Sequence, residues 1–227
     1  MSIYDEKFGR NPLTRRQQDR LRRSVFAIVG LGGTGGYVFE NLLRMGAENF
    51  ILFDNDRFDL SNFNRQTLAT EEFIDMPKVH AALSRAQSVN QDIRIEPRGA
   101  FDEGSDTGSA AVLIDGSDNL RTKLAMARSA RKKKIPYVFS SAQGTRGIVS
   151  VFTSYRFEKA FQLPPDEDSL ERYGSCSSVL CPAASLSGSL AASQAANYML
   201  RKPYVKAPDA LFFDLFREDV FWRAELG

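Results

Sequence analysis

The sequence has few of the residues that build disulfide frameworks and metal clusters. Its 227 residues include two cysteines and one histidine. The cysteines, Cys176 and Cys181, are too few for a disulfide framework or for a four-cysteine zinc site. These absences exclude a small disulfide-stabilised scaffold and a structural zinc held by four thiolates.

Long apolar runs and a large excess of one charge are also missing. The first ten residues are polar, unlike a signal peptide, and no apolar run reaches the roughly 20 residues needed to span a bilayer. The net charge of +2 is too small to favour nucleic acid or a membrane as the main partner. With 43% hydrophobic and 26% charged residues, the composition is that of an ordinary globular protein. We therefore expect a cytoplasmic α/β protein that makes no membrane contact.

A glycine-rich turn is the most informative stretch of the chain. Residues 25–36 read VFAIVGLGGTGG, an apolar strand followed by Gly30, Gly32 and Gly35 in the spacing G-x-G-x-x-G. Such glycines allow a tight turn, the approach of a phosphate and close packing of the next helix, whose N-terminus attracts anions. About 20 residues further on, Asp54 ends the next apolar run, where this motif holds a ribose hydroxyl. The pattern predicts a nucleotide site, although a purely structural turn and a solvated Asp54 remain open readings.

The rest of the chain alternates between strand and helix patterns. Strands are predicted at residues 25–29, 49–53, 93–96, 111–114 and 135–140, with helices at 14–21, 37–46, 78–88, 120–134 and 183–200. Residues 147–152 and a hairpin at 211–224 follow the parallel set, whereas 1–12 and 154–178 look irregular. We predict an α/β fold with a Rossmann-like, mainly parallel sheet, flanking helices and a C-terminal antiparallel extension.

Polar residues follow the carboxyl ends of the predicted strands, where open α/β sheets bind ligands. They are Asp54, Asn62, Arg65, Gln66, Lys78, Asp118 and Asn119. A redox dinucleotide does not obviously need the cations and the extra carboxylate. Transfer chemistry at a triphosphate does, because cations neutralise the moving charge and a carboxylate holds Mg²⁺. Asp115, just before this last group, is a candidate cap for the following helix.

Five motifs carry a specific resemblance. In order, they are Gly30–Gly36 (GLGGTGG), Asp54–Asp56 (DND), Ser61–Gln66 (SNFNRQ), Pro77-Lys78 and Asp115–Asn119 (DGSDN). In this order the chain resembles the ThiF/MoeB/HesA family, the prokaryotic branch of the ubiquitin-activating-enzyme superfamily, from about Phe8 to Gly188. The resemblance implies a single adenylation domain over residues 1–227 that binds ATP and Mg²⁺. It also implies adenylation of the C-terminal carboxylate of a small ubiquitin-like sulfur carrier ending in Gly-Gly, with release of pyrophosphate.

The resemblance also implies roles for individual residues. Asp54 would hold the ribose, Asp118 would bind Mg²⁺ with Asn119 beside it, and an arginine from the N-terminal segment would enter the partner's site in a homodimer. Arg10 is the candidate for that arginine. The residues implied around the nucleotide are Gly30, Gly32, Gly33, Gly35, Asp54, Asp56, Asn62, Arg65, Gln66, Lys78, Asp118 and Asn119, with Arg65 and Lys78 also catalytic.

The cysteines and the missing motifs refine this implication. Relatives place a cysteine near Cys176, and some use it to form a persulfide or thioester; an unreactive loop thiol is the alternative reading. Cys181 is expected to be packed. The chain has no CxxC pair, so we predict no zinc, and it lacks the rhodanese-like extension of some relatives, so sulfur would come from another protein.

Three other functions stay open. One is ATP-dependent dehydration of threonylcarbamoyladenosine on tRNA, the only reading in which nucleic acid is a partner. Another is a non-catalytic, nucleotide-binding subunit. An NAD-dependent oxidoreductase is disfavoured by the Asn62–Gln66 and Lys78 elements.

Overall fold

One mixed sheet organises the described chain. The computed structural model describes residues 2–164 and 178–227. In these residues eight strands pair in the order β3-β2-β1-β4-β5-β6-β7-β8. Their bounds are β1 Val25–Val29, β2 Asn49–Phe53, β3 Arg94–Arg98, β4 Val112–Asp115, β5 Tyr137–Gln143, β6 Arg146–Phe152, β7 Asp209–Asp214 and β8 Phe221–Glu225.

The helices connect and cover these strands. Their bounds are α1 Ile3–Phe8, α2 Arg15–Arg23, α3 Gly33–Arg44, α4 Lys78–Val89, α5 Leu120–Lys133, α6 Phe157–Ala160 and α7 Cys181–Met199. The predicted end of the first Rossmann helix is confirmed, since α3 stops at Arg44 and Gly46 follows with φ +91°. No described helix combines the length and the apolarity required to cross a bilayer.

The sheet has a parallel part and an antiparallel part. Strand β1 pairs in parallel with both β2 and β4, and β3 and β5 extend this set on either side. From β5 onward each neighbouring pair is antiparallel. The carboxyl ends of β1, β2 and β4 therefore meet at one edge, as in doubly wound folds. This arrangement confirms the predicted fold class, including the C-terminal antiparallel extension.

Alternate residues of the central strands bury two separate apolar layers. Phe26 and Ile28 of β1 join the layer under α3, α4 and α7, whereas Ala27 and Val29 join the layer under α5 and α6. Successive side chains of a strand point to opposite faces, so a strand covered on both faces is apolar throughout. This is why β1 reads VFAIV without a polar residue.

Two segments predicted to be irregular contain helices. Residues 3–8 form α1, which begins with a capping box between Ser2 and Asp5. Tyr4 is buried and donates a hydrogen bond to the Gly46 carbonyl at 2.8 Å. Residues 157–160 form α6, whose Phe157 is buried against Tyr137. Both helices are stabilised by tertiary contacts, and each is too short to produce a helical period in the sequence.

Candidate functional site

A cavity of about 740 Å³ lies at the carboxyl edge of the parallel strands. It extends from the turn after β1 to the turn between β5 and β6. Ten of the residues predicted for the nucleotide line it: Gly30, Gly32, Gly33, Asp54, Asp56, Arg65, Gln66, Lys78, Asp118 and Asn119. The fold thus brings residues from distant parts of the chain to one opening, large enough for a nucleotide-sized ligand.

Three glycines hold the first turn against its neighbours. Gly30 has φ +84°, a conformation that favours glycine. A Cβ at Gly35 would lie 1.8 Å from the Gly30 carbonyl oxygen, and one at Gly116 would lie 2.4 Å from the same atom. Side chains at these positions would overlap the backbone. Gly35, which does not line the cavity, thus acts through close packing of α3.

Asp54 connects the end of β2 to the glycine turn. Its Oδ2 accepts a hydrogen bond from the Leu31 amide at 2.7 Å, and its Oδ1 accepts one from the Asp56 amide at 2.8 Å. Burial raises the pKa of this carboxyl above its usual value, although Lys78 and these amides act in the opposite direction. The remaining lone pairs of Asp54 are suited to accept hydrogen bonds from ribose hydroxyls, and its ribose contact stays a prediction.

Lys78 supplies a buried cation at the start of α4. Its side chain is 7% exposed, and its Nζ lies 3.1 Å from Oδ2 of Asp56. The amide of Lys78 also donates to the Asp56 carbonyl at 3.0 Å. A lysine at a helix N-terminus opposes the helix dipole, so an added anion stabilises this arrangement.

The loop after β2 presents Arg65 and Gln66. Arg65 is held by hydrogen bonds from its Nη1 to the Ser61 carbonyl and to Oδ1 of Asn64, at 2.8 and 2.7 Å. Gln66 lines the cavity, and its buried Oε1 has no hydrogen-bond partner within the described part of the chain. A buried polar atom without a partner in a cavity is a place for a ligand atom, and rotation of the amide would offer a donor instead.

The side chain of Asn62 forms its hydrogen bonds within the loop that contains it. Its Nδ2 donates to Oδ1 of Asp59 at 3.0 Å, and its Oδ1 accepts from the Asp59 amide at 3.4 Å. Asn62 is buried and lies outside the cavity lining. Its predicted contact with the triphosphate stays a prediction, and the role visible here is to shape the loop that carries Arg65.

Asp118 and Asn119 follow β4. Asn119, not Asp115, caps α5, because its Oδ1 accepts a hydrogen bond from the Thr122 amide at 2.9 Å. The reading of Asp115 as a cap is therefore wrong. Asp118 is exposed in the cavity lining, and its carboxylate accepts a long hydrogen bond of 3.4 Å from Nδ2 of Asn119.

A buried ion pair behind this loop was missed by the sequence analysis. Asp115 is fully buried, and Nζ of Lys123 lies 3.0 Å from its Oδ2. Tyr137 donates to the same oxygen at 2.8 Å, and burial followed by the negative charge of Asp115 raises the pKa of Tyr137 well above its usual value. The sequence gives no local signal for this pair, because the partners come from β4, α5 and β5.

The β5–β6 turn lies at the opposite end of the cavity. The Gly144 amide donates to the Ser178 carbonyl, and the Leu180 amide donates to the Gly144 carbonyl, both at 2.9 Å. Phe216, between β7 and β8, lines this end with 79% of its surface exposed. This end therefore has an apolar rim, in contrast to the charged end beside Lys78.

The structure does not bring Arg10 to the cavity of its own chain. Arg10 is exposed just after α1, which contacts Gly46 beyond the C-terminal end of α3. The cavity lies at the N-terminal end of α3, and a helix of 12 residues is about 18 Å long. Arg10 is therefore remote from the cavity of its own chain. Cys176 lies outside the described residues.

The cavity lining offers carboxylates that could bind Mg²⁺ together with a nucleotide. In residues 2–164 and 178–227, no three His, Cys, Asp or Glu side chains form a metal-binding group. Mg²⁺ commonly keeps waters and takes one or two carboxylates together with substrate phosphates. Two exposed carboxylates line the cavity, Asp118 and Asp56, and Asp56 is paired with Lys78.

The fold and this edge define a Rossmann-like α/β protein with a charged ligand cavity. The chain belongs to the ThiF family, whose sequence model matches residues 4–226. This confirms the family resemblance carried by the five motifs.

Two relatives illustrate the similarity. The chain is 31% identical over 183 residues to the sulfur carrier protein ThiS adenylyltransferase of Escherichia coli, covering 78% of this chain and 73% of that protein. It is 32% identical over 140 residues to the molybdopterin-synthase adenylyltransferase of Haemophilus influenzae, covering 60% of this chain. The chain spans 58% of the length of the second relative.

Solved structures share the fold. Escherichia coli MccB crystallised with ATP superposes with a TM-score of 0.77 at 16% identity, covering 93% of this chain and 66% of that one. At this identity the likeness concerns the fold alone.

Proposed function

We propose that this protein is an ATP- and Mg²⁺-dependent adenylyltransferase. Its substrate would be the C-terminal carboxylate of a small ubiquitin-like sulfur carrier or a peptide. The observation that carries the proposal is the convergence of Arg65, Lys78 and Asp118 around the glycine turn in one cavity. The names of the relatives, an adenylyltransferase of molybdopterin synthase and one of the sulfur carrier protein ThiS, support the same reaction class.

The cavity residues suit attack on the α-phosphate. In that reaction a carboxylate oxygen bonds to the α-phosphorus, the bond to the β-phosphate oxygen breaks, and pyrophosphate leaves with the electron pair. Lys78 and Arg65 would stabilise the charge that builds on the phosphate oxygens. Bound Mg²⁺ supplies further charge neutralisation, and Asp118 is its proposed protein ligand.

Substrate approach is proposed from the apolar end of the cavity. The amides of the glycine turn and α3 would hold the phosphates, and Asp54 the ribose. A carrier tail would then enter between the Gly144 turn and Phe216, opposite Lys78. Glycine residues at the end of the tail would allow the backbone of the carrier to approach the α-phosphate closely.

A homodimer is part of the proposal because Arg10 is remote from its own cavity. In this arrangement Arg10 of one protomer would enter the cavity of the other. Mixing Arg10→Ala with Asp118→Ala chains should then restore activity in hybrid dimers, in which one cavity has both residues. A monomer with full activity would contradict this part.

Pyrophosphate exchange into ATP tests the reaction. Purified protein with Mg²⁺ and a small carrier ending in Gly-Gly should exchange labelled pyrophosphate, and Asp118→Ala should abolish exchange while leaving the circular dichroism spectrum unchanged. Loss of the fold in Asp118→Ala would make Asp118 structural. Cys176→Ser should leave exchange intact and block any later sulfur or thioester step.

The alternatives give different outcomes in the same assay. Turnover of threonylcarbamoyladenosine in tRNA without carrier-dependent exchange would identify the dehydratase. ATP binding without either reaction would identify a non-catalytic subunit, and tighter binding of NADH than of ATP would reject the proposal.

A further inference from the structure

Lys123 holds the residue that precedes Asp118. Its Nζ donates to the Ser117 carbonyl at 2.7 Å, to Oδ2 of Asp115 at 3.0 Å and to the Ser140 carbonyl at 3.1 Å. An ammonium has three hydrogens, so these three bonds use all of them. One buried cation thus joins the end of β4, the loop after it and β5.

Ser117 is fixed at each of its polar groups. Its amide and its hydroxyl both donate to Oδ1 of Asp115, at 2.9 and 2.8 Å, while its carbonyl accepts from Lys123. On the other side of Asp118, Asn119 is fixed as the cap of α5. The backbone of Asp118 is therefore held from both sides, although its own carboxylate is exposed in the cavity.

The burial of Lys123 at the start of a helix is unfavourable for the stability of the fold. Its residue is only 6% exposed, and it lies in the first turn of α5, where the helix dipole disfavours a cation. Removing a charge pair from water is also unfavourable, and apolar residues of similar size often stabilise such a site equally well. Fold stability is therefore a weak explanation for the Lys123–Asp115 pair.

We infer that Lys123 is a positioning residue for the metal-binding carboxylate of this site. Through Ser117, it sets where Asp118 can meet a divalent cation bound to the triphosphate. This inference rests on the proposed function, since it takes Asp118 as the metal ligand. Groups that orient a metal ligand without touching the metal commonly change metal affinity by about 10- to 100-fold when they are removed.

Mn²⁺ binding tests the inference without relying on turnover. Mn²⁺ affinity would be measured by electron paramagnetic resonance with the full chain and a non-hydrolysable ATP analogue. The variant Lys123→Met leaves Asp115 buried and unpaired, so the double variant Asp115→Asn/Lys123→Met is measured beside it to keep the fold. Both should bind Mn²⁺ about 10-fold or more weakly, while the metal-free affinity for the analogue stays within about twofold.

Lys133→Met is the matched control. Lys133 lies on the same helix and donates to the Ser105 carbonyl and to Oγ1 of Thr107, at 3.1 and 2.9 Å, but it does not line the cavity. Its removal should leave Mn²⁺ affinity unchanged. Unchanged Mn²⁺ affinity in a folded double variant would overturn the inference, as would an equal loss in Lys133→Met.

Asp118→Ala separates this inference from the proposed function. If Asp118→Ala weakens Mn²⁺ binding and the Lys123 variants do not, the positioning role is wrong and the metal ligand stands. If Asp118→Ala leaves Mn²⁺ affinity unchanged, the proposed metal ligand itself is wrong, and the positioning role falls with it.

Discussion

The parallel and antiparallel parts of the sheet bring different groups to the cavity. In the parallel part, polar groups near the cavity are tied to the backbone, as Asp54 is to the Leu31 amide and Lys123 to the Ser117 carbonyl. At the antiparallel end of the cavity, a large apolar side chain, Phe216, is 79% exposed. We therefore expect the chemistry beside the parallel strands, and we propose contact with a partner at Phe216.

Glycine contacts also differ between the two parts, and this gives the largest predicted effect. A Cβ at Gly35 would meet the Gly30 carbonyl oxygen at 1.8 Å, whereas one at Gly147 would meet Cζ of the Phe213 ring at 2.2 Å. A ring can rotate more easily than backbone can move. Gly35→Ala should therefore lose at least about 3 kcal/mol of unfolding free energy in urea, and Gly147→Ala about 1–3 kcal/mol.

Gly99→Ala is the control, since a Cβ there meets nothing within 4 Å. It should change stability by less than about 0.5 kcal/mol. Equal losses of unfolding free energy in Gly35→Ala and Gly147→Ala would show that a backbone contact and a ring contact are equally costly to disturb.

The second prediction concerns the exposed aromatic rim. Phe216→Ser should raise the KM for a carrier protein about tenfold, or about 1.4 kcal/mol, because it removes a large apolar contact at the mouth. Nucleotide affinity, measured by calorimetry, should stay within about twofold. Phe221→Ser, exposed nearby but outside the cavity lining, should leave both values unchanged. Weakened nucleotide binding in Phe216→Ser would place Phe216 on the nucleotide side instead.

The smallest effect is expected at an ion pair of the parallel part that lies away from the cavity. Glu40 accepts hydrogen bonds from Arg85 at 2.8 and 3.0 Å. Although burial alone would raise the pKa of Glu40, Arg85 and Arg44 hold it below its ordinary 4.5. Its stabilisation is therefore present above pH 4.5 and lost as the pH falls through the lowered pKa.

Arg85→Met should cost about 0.2–1 kcal/mol at pH 7, and the difference from the unchanged protein should shrink in urea titrations repeated at lower pH. A difference independent of pH would show that Arg85 acts through packing. A loss of several kcal/mol would mean that this ion pair contributes far more than a partly exposed pair is expected to contribute.

The parallel strands and the position of the cavity could be predicted from the sequence because both depend on local patterns. The apolar run of β1, the glycine spacing and Asp54 lie within about 30 residues, and each has a recognised period or spacing. The burial and the ion pair of Lys123 could not be predicted, because they depend on contacts with distant parts of the chain. Residues 120–125 look like an ordinary charged helix surface, and only the neighbouring strands β4 and β5 bury this lysine. Helix α1 could not be predicted because it has only about two turns, with Tyr4 and Phe8 as its buried residues, and is too short to show a hydrophobic period.

The contact of Gly30, Gly35 and Gly116 has a consequence for engineering. These residues come from the turn after β1, the start of α3 and the end of β4, and no side chain fits between them. A graft of the glycine turn onto another scaffold would therefore have to transfer Gly116 and its loop as well. Loop-exchange libraries that diversify either segment alone should be dominated by insoluble clones, whereas libraries that exchange both together should yield folded ones.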